Sequence, residues 1–397
     1  MATFSVRFLG CKVSHTDAQE VRERLLRDGH REVDAEGDVA VVNTCCVTNE
    51  AVAKSRKEAG RAARTHARVY LTGCGANLAS EAFTGLPANV VVVARPSEET
   101  PDVVAGDVGA IGCVQSDARL DRIRAFVKIQ DGCSFSCGFC VIPQVRGASR
   151  SRPADAVLAE IRKRIEQGHR EIVLTGVNLG CYRDRQNGYT LAALVREAGE
   201  TPGLGRLRLS SIEVNHLGDE LVAALRETRT VSRHLHVPLQ SGDDRVLREM
   251  GRRYDVKTYR RRIAKAEGFN LTTDVMVGFP GEDDEAFEAT LATVAGAGIT
   301  KVHVFPYSPR PGTRTAQADP VSPGVKKERS ARLRRASDEA CRRRWHARLG
   351  EEDVVLVDRP GRGYADDYTP WLVDAQVGSL VRAHAVAVAE EGIVGVV

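Results

Sequence analysis

Residues 124–140, RAFVKIQDGCSFSCGFC, join a strand-like apolar run to three closely spaced cysteines, Cys133, Cys137 and Cys140. Five further strand-like runs follow along the chain, separated by helical stretches. This alternation predicts a parallel sheet with helices packed on its faces. Six such units are too few for a closed eight-stranded barrel, so we expect an open, partial (β/α)6 barrel. The cysteines then lie at the carboxyl ends of its strands, where barrel enzymes hold their active sites.

The same alternation precedes the barrel, and short β-like runs with turn glycines follow it. Predicted strands cover residues 4–8, 39–42, 69–71, 90–93, 124–129, 171–175, 207–212, 234–239, 271–277 and 301–306, and predicted helices cover residues 17–27, 49–64, 154–167, 190–198, 218–226, 244–267 and 283–297. The fold class is therefore α/β. We predict an amino-terminal open parallel α/β domain (1–100), a linker (101–121), the central partial barrel (122–316), a basic helical segment (317–349) and a small carboxy-terminal β-barrel (350–397).

The spacing C-x3-C-x2-C of the central cysteines indicates a metal site. Thiolates are the usual ligands of iron–sulfur clusters, which normally take four. Three thiolates leave one iron without a protein ligand, and an open position is what a catalytic metal needs. Zinc is the alternative, but zinc sites usually pair two such cysteine groups and no second group lies nearby. The chain has ten cysteines, and its first residues do not predict a secretory leader, so a disulfide framework is not expected.

Three other cysteines follow predicted strands in the amino-terminal domain. Cys11, Cys45 and Cys74 come just after the strands over residues 4–8, 39–42 and 69–71. Open α/β sheets place their ligands at this edge. Three thiols on one edge are a candidate site for a second cluster that also has an open iron, and the alternative is one buried thiol in each loop.

The central cysteine string, with Phe139 just before the last cysteine, resembles the cluster loop of radical S-adenosylmethionine enzymes. In that superfamily the methionyl amine and carboxylate bind the open iron, and the aromatic residue lies near the adenine. Segments along nearly the whole chain further resemble the methylthiotransferases. These segments are residues 8–13 (FLGCKV), 43–48 (NTCCVT), 72–74, 171–178 (EIVLTGVN), 209–213, 236–242, 274–282, 305–313 and 363–368. The last of them resembles the TRAM domain, the small β-barrel that ends this family.

The resemblance implies two [4Fe–4S] clusters and S-adenosylmethionine as cofactors. The first, catalytic cluster has the ligands Cys133, Cys137 and Cys140, and the second has the ligands Cys11, Cys45 and Cys74. Residues near strand ends that we expect to bind S-adenosylmethionine are Phe139, Gly176, Asn178, Ser211, Glu213, Gln240 and Gly278. Cys46 directly follows Cys45, so two adjacent thiols compete for the second ligand position of the second cluster, and the register favours Cys45. Cys181 is an extra thiol in the barrel.

The resemblance also implies a reaction. The first cluster reduces S-adenosylmethionine, and the resulting radical removes hydrogen from C2 of an adenine. The second cluster supplies sulfur, and a second S-adenosylmethionine supplies the methyl group. Residues 10–13, 43–45, 47–48 and 127–133 and Arg310 most resemble the branch that acts on N6-threonylcarbamoyladenosine in tRNA. Sister branches act on N6-isopentenyladenosine in tRNA and on an aspartate of a ribosomal protein.

Other functions stay open on the sequence alone. A small molecule is an alternative substrate, and an iron–sulfur regulator that binds RNA is the non-enzyme alternative. A complete barrel argues against the regulator, since a scaffold needs no cavity for a cofactor. We further expect a monomer and an electron donor such as flavodoxin or ferredoxin.

The distribution of charge suggests where RNA binds. Residues 325–350 contain ten Lys or Arg against three acids, whereas residues 351–397 contain nine acids against three arginines. Phosphate contacts dominate RNA affinity, so we expect the basic helix, together with the basic face over residues 54–64, to bind tRNA. A solvated charged face is the alternative. No run approaches the roughly 18 apolar residues of a membrane span, and a cytoplasmic location is expected.

Overall fold

A computed structural model describes residues 1–78, 80–109 and 123–397. Over these residues the chain forms an α/β domain with a parallel sheet, a partial barrel, a long helix and a small closed barrel, which confirms the predicted fold class. The domain boundaries stay a prediction. Cys113 and most of the predicted linker lie outside the described residues.

The amino-terminal domain is a five-stranded parallel sheet with helices on both faces. Its strands are β1 (Thr3–Phe8), β2 (Arg31–Glu32), β3 (Gly37–Thr44), β4 (His66–Thr72) and β5 (Val90–Val92), and its helices are α1 (Lys12–Arg27), α2 (Asn49–Ala62), α3 (Gly73–Leu78) and α4 (Thr100–Val108). The strand order is β2-β1-β3-β4-β5. Because β1, β3 and β4 are parallel neighbours, the loops that follow them meet at one edge of the sheet.

Helix α4 occupies the start of the stretch predicted to be a linker, so the chain is helical rather than irregular there. Pro101 stands in its first turn, where the missing N–H costs no hydrogen bond. Val104 and Ala105 are buried in one apolar cluster with Val21 and Leu25 of α1. The proline, glycine and acidic residues of this stretch concealed a short apolar face.

The central domain is the predicted partial barrel. Its strands are β6 (Arg124–Asp131), β7 (Arg150–Ser151), β8 (Glu171–Gly176), β9 (Arg206–Leu209), β10 (His234–His236), β11 (Asn270–Val277) and β12 (Ile299–Pro306). Strands β6, β8 and β9 pair in parallel, as do β10, β11 and β12. A parallel bridge between Leu207 and Val231 joins the two groups. Strand β7 adds a short antiparallel edge.

The barrel helices differ from prediction at two positions, the unpredicted helix over residues 142–146 and the helix predicted over residues 244–267. They are α5 (Ile142–Arg146), α6 (Ala154–Glu166), α7 (Leu191–Gly199), α8 (Asp219–Glu227), α9 (Asp244–Glu249), α10 (Val256–Ala264) and α11 (Asp284–Gly296). The single helix predicted over residues 244–267 is wrong, because the chain breaks between α9 and α10. Gly251 adopts φ +73°, which a helix does not allow, and Asp255 then caps α10 by accepting a hydrogen bond from the Thr258 amide.

A long basic helix and a closed five-stranded barrel complete the chain. They comprise α12 (Pro323–Ala347), β13 (Glu352–Arg359), β14 (Arg362–Tyr364), β15 (Pro370–Leu372), β16 (Leu380–Ala389) and β17 (Gly392–Val396). Trp371 fills the core of the small barrel and is fully buried. Among the described helices, none has both the length and the apolar character that crossing a membrane requires.

Buried arginines attach the small barrel to the starts of the large barrel's strands. Arg206 donates to the Val354 carbonyl at 2.7 Å. Beside it, Glu171 lies 3.0 Å from Arg124 and 3.1 Å from Arg208. Burial opposes the ionisation of Glu171, but the charges of Arg208 and Arg124 prevail and lower its pKa to about 2.

Candidate active site

The loop after β6 carries the first set of cysteines. Gly132 begins this loop at φ +67°, and a Cβ there would lie 2.1 Å from a backbone oxygen, so the turn requires glycine. The Cys133 amide donates to the Gly147 carbonyl at 3.0 Å, and the Cys140 amide donates to the Cys137 carbonyl at 3.1 Å. These bonds fix a compact loop that presents all three thiols to one cavity.

This cavity has a volume of about 240 Å³ and lies at the carboxyl ends of the barrel strands. Five of the seven residues predicted to bind S-adenosylmethionine line it together with the thiols: Phe139, Asn178, Ser211, Glu213 and Gln240. In the described part of the chain, Gly176 and Gly278 do not line it. A Cβ on Gly176 would lie 2.9 Å from the Gln130 amide oxygen, and the Gly278 amide donates to the Glu282 carboxylate at 2.8 Å. Both glycines serve the backbone rather than the wall of the cavity.

The cavity fits a cluster and a polar cofactor. Asn178 Oδ1 is buried without a hydrogen-bond partner among the described residues, so an acceptor is left for a ligand. Burial raises the pKa of Cys133 and raises that of Cys140 to about 11. Thiols with a raised pKa stay protonated until a metal binds, so loading of a cluster releases their protons.

Arg252 belongs to this site but was not predicted. It lies in the break between α9 and α10 and donates to Cys137 Sγ at 3.5 Å. The second terminal nitrogen of Arg252, Nη2, is 3.6 Å from the Glu213 carboxylate. Gly251, which precedes it, was the available signal of a broken helix. The cation compensates for thiolate charge when the loop binds a cluster.

Two further polar residues near the cavity were also missed. Gln130 is buried at the end of β6, donates to the Gly132 carbonyl at 2.8 Å and accepts from the Asn178 amide at 2.8 Å. It therefore holds the cysteine loop against the loop after β8. Asp274 lines the cavity from β11 and lies 3.2 Å from His236. Asp274 begins one of the segments with family resemblance, which was its signal.

The second set of cysteines lies at the sheet edge where the sequence placed it. Cys11 precedes α1, Cys45 follows β3 and Cys74 is the second residue of α3. Cys45 and Cys74 are buried, whereas Cys11 is exposed. A Cβ on Gly73 would lie 2.5 Å from the Asn43 amide oxygen, so this glycine lets neighbouring loops approach closely. The three loops form one thiol-lined edge.

Cys46 and Arg146 complete this thiol site. A hydrogen bond from Cys46, followed by the charge of Arg146, lowers the pKa of the Cys74 thiol. The Arg146 Nε lies 3.0 Å from Cys74 Sγ. Cys46 is fully buried, and Cys45 is 8% exposed. The choice between Cys45 and Cys46 as a cluster ligand stays a prediction.

Arg146 also joins the amino-terminal domain to the barrel. It lies 2.6 Å from Asp17 of α1 and 3.1 Å from Asp131 of β6. Lys128 of β6 lies 2.7 Å from Asp17 as well. On the other side of the cysteine loops, Arg310 donates to Asn49 of α2 at 2.8 Å. These contacts hold the two cysteine sets against each other.

A second cavity, of about 220 Å³, lies between the first cysteine set and the loop that follows β3. Val47 and Thr48, which follow the second set, line it together with Phe139 and Cys140 of the first set. Arg310, a residue of the branch-specific pattern, lines it too. Phe139, Cys140, Gln240 and Asp274 line both cavities, so the two spaces are adjacent.

Over the part of the chain that the structure describes, no group of three or more His, Cys, Asp or Glu side chains is close enough to bind one metal ion.

Cys181 lies near the first cysteine set, at the end of a short 3-10 helix. Its thiol is 3.4 Å from His216 Nε2, and burial raises its pKa to about 11. Cys341 is far from this region in the chain and donates to the Thr300 carbonyl at 2.9 Å.

Two family models match the chain. Residues 127–294 match the radical SAM superfamily, and residues 3–94 match a family described as uncharacterized protein family UPF0004. A Chlamydia pneumoniae protein named threonylcarbamoyladenosine tRNA methylthiotransferase MtaB is 32% identical over 99% of this chain and 97% of its own length. The chain belongs to the radical S-adenosylmethionine methylthiotransferase family. Membership confirms the prediction of an enzyme with two [4Fe–4S] clusters that uses S-adenosylmethionine.

Relatives with a different named substrate are equally similar. The Bacillus subtilis protein of the same name is 35% identical over 90% of this chain and 84% of its own length. A Sorangium cellulosum protein named tRNA-2-methylthio-N(6)-dimethylallyladenosine synthase is 34% identical over 90% of this chain and 82% of its own length. Overall identity therefore does not choose between these two substrates.

Solved structures share the fold. The radical S-adenosylmethionine methyltransferase TsrM from Kitasatospora setae superposes with a TM-score of 0.58 at 15% identity, over 80% of this chain and 77% of that one. The cobalamin-dependent radical enzyme OxsB superposes with a TM-score of 0.52 at 9% identity, over 86% of this chain and 56% of that one. At these identities the likeness concerns the fold alone.

Proposed function

We propose that this methylthiotransferase converts N6-threonylcarbamoyladenosine next to the tRNA anticodon into its 2-methylthio derivative. The observation that carries the proposal is the cavity of about 220 Å³ that is lined by Cys140 of the first cysteine set and by Val47 and Thr48, which closely follow Cys45. We infer that the substrate base is held in this cavity. Residues 10–13 and 47–48 and Arg310 favour threonylcarbamoyladenosine over the isopentenyl nucleoside, and the MtaB-named relatives support this choice.

In this proposal the protein residues bind, orient and shield. Cys133, Cys137 and Cys140 hold the first cluster, and Cys11, Cys45 and Cys74 hold the second. The cofactors, when bound, supply the electron, the radical, the sulfur and the methyl group. Phe139 separates the two cavities, and the unpaired Asn178 Oδ1 faces the cofactor side.

Partners follow from the same proposal. One-electron reduction requires a donor, for which flavodoxin or ferredoxin is suited. We further propose that the enzyme acts as a cytoplasmic monomer and that its small barrel is a TRAM domain. The exposed cations of α2 and α12 are the proposed contacts to RNA phosphate.

Iron content tests the two cluster sites. Anaerobically reconstituted protein should bind about eight irons, because each three-cysteine site of this kind holds a four-iron cluster. The triple variant Cys133/Cys137/Cys140→Ala should retain about half of that iron and lose cleavage of S-adenosylmethionine to 5′-deoxyadenosine. Cys74→Ala should keep this cleavage but stop sulfur insertion. A wild-type plateau at about four irons would contradict the second site.

Mass spectrometry of tRNA nucleosides tests the substrate. A deletion strain should lose 2-methylthio-N6-threonylcarbamoyladenosine and keep every other methylthio nucleoside. The wild-type chain should restore the loss, and Cys133→Ala should not. Loss of 2-methylthio-N6-isopentenyladenosine instead would assign the other tRNA substrate.

A further inference from the structure

A third cavity, of about 480 Å³, shares no lining residue with the two cavities described above. Its walls come from β10, β11, β12 and α12, from the small barrel and from Lys12 of the amino-terminal domain. Lys12 directly follows Cys11, and its exposed side chain lines this cavity. No part of the function described above uses this space.

Some of the cations that line this cavity have a carboxylate partner and others do not. Its five lysines and arginines are Lys12, Lys301, Arg342, Arg344 and Arg362. Lys301 lies 2.8 Å from Asp338, Arg344 lies 2.6 Å from Asp367, and Arg362 lies 3.0 Å from Glu391. Among the described residues, Lys12 and Arg342 have no carboxylate within ion-pair distance.

Both side chains are exposed, but they differ in position. The charges of Arg208, Arg124, Glu171 and Asp274 of the large barrel act on Lys12 through space, whereas Arg342 lies on α12. A cation that lines a cavity without a carboxylate at ion-pair distance is a candidate partner for an anionic group of a ligand.

The walls of this cavity are polar, and their carboxylates Asp338 and Glu391 pair with Lys301 and Arg362 rather than with Lys12. Thr272 Oγ1 lies 2.9 Å from His234 Nε2 and 2.9 Å from His236 Nδ1. His236 in turn lies 3.2 Å from Asp274, which lines both cysteine-bordered cavities. The His236–Asp274 pair is thus the boundary between the third cavity and the place of the substrate base.

We propose that Lys12 binds the carboxylate of the threonyl group on the substrate adenine. The inference rests on the proposed function, and it assigns recognition of the N6 substituent to the third cavity. The adenine then occupies the second cavity, and its substituent extends past His236 into the third. An isopentenyl group has no charge and would leave Lys12 unpaired, so Lys12 determines specificity.

A carboxylate of different origin also has this chemistry. The methionyl carboxylate of S-adenosylmethionine is the competing ligand, and the experiment separates the two. Anticodon stem-loop RNAs carry either N6-threonylcarbamoyladenosine or its threonine carboxamide analogue, which keeps the shape and removes the charge. Equilibrium binding by fluorescence anisotropy needs no turnover.

Reconstituted wild-type protein should bind the carboxylate RNA about 10- to 100-fold more tightly than the carboxamide RNA, as expected for a hydrogen bond between charged groups. Lys12→Met should bind both RNAs with the weaker affinity. The matched control is Lys301→Met, which removes a cation of the same cavity that already has Asp338 as its partner. This control should keep the wild-type preference.

Three results would overturn the proposal. Equal affinity of wild-type protein for the two RNAs would mean that the protein does not recognise the carboxylate, and this measurement needs no variant. Lys12→Met with an intact preference places the recognition elsewhere. If Lys12→Met instead weakens binding of S-adenosylmethionine, measured by equilibrium dialysis, the lysine serves the cofactor. Failure of the proposed function is a separate result, since wild-type protein would then form no methylthio product from the carboxylate RNA.

Discussion

Replacing Arg146 with methionine should destabilise the junction between the two cysteine-bearing domains. Arg146 is almost fully buried, and its side chain lies 2.6 Å from Asp17, 3.1 Å from Asp131 and 3.0 Å from Cys74 Sγ. Methionine keeps much of the volume but leaves these partners without their cation. Lys128 still compensates Asp17, whereas Asp131 is left with Arg150, a more exposed partner at 3.5 Å.

Breaking a buried ion pair by removing one partner typically costs about 3–5 kcal/mol. For a domain of 150–250 residues this corresponds to a melting temperature lower by roughly 6–20 °C. The matched control is Arg196→Met, because Arg196 also lies in the barrel domain but pairs with the exposed Glu227. Exposed pairs contribute about 0–1 kcal/mol, so the control should shift the melting temperature by less than about 4 °C.

Differential scanning calorimetry of cluster-free protein measures both variants without the contribution of bound iron. Unfolding of several domains need not be two-state, so the transition that contains the barrel is the one to compare. Equal shifts for Arg146→Met and Arg196→Met would refute the reasoning, since they would mean that burial of the Arg146 network adds nothing to stability.

Three further predictions concern pH, ligand identity and RNA. Because the pKa of Glu171 is lowered to about 2 from an ordinary value of 4.5, its contribution to stability is complete above about pH 4.5 and is lost as pH falls toward 2. Glu171→Gln should flatten this part of a plot of melting temperature against pH. Cys45→Ala should lose about half of the iron and Cys46→Ala much less; the reverse would move the ligand by one residue. Arg334→Glu/Arg335→Glu should weaken tRNA binding and flatten its salt dependence; unchanged binding would make this a solvated helix face.

The fold was predictable wherever a periodic apolar pattern coincided with a strong stop signal. The strand predicted over residues 39–42 is the buried centre of β3, which extends from Gly37 to Thr44. Helix α1 begins at Lys12, directly after Cys11 and five residues earlier than predicted. No capping side chain marks that start, since Cys11 makes no cap hydrogen bond.

The candidate site was predictable for residues in recognisable motifs and not for their supports. The six cysteines were found from spacing and strand ends. Arg146, Arg252 and Gln130 were not, because single polar residues in loops and at strand ends resemble surface residues until the fold buries them. Gly176 and Gly278 do not line the cavity of the first cysteine set, and their contact with S-adenosylmethionine stays a prediction. A glycine at a strand end is often required by the backbone.

Charge counts misled for a related reason. The acidic composition of residues 351–397 argues against RNA contact only if those acids face solvent. Asp367 instead is buried and lies 2.6 Å from Arg344 and 3.0 Å from Arg348, which also lies 2.6 Å from Asp353. These pairs attach the small barrel to α12 and remove charge of both signs from the surface. A charge reversal that includes Arg344 would therefore test this attachment rather than RNA binding. The exposed arginines of α12 without such partners are the ones that can report on phosphate contact.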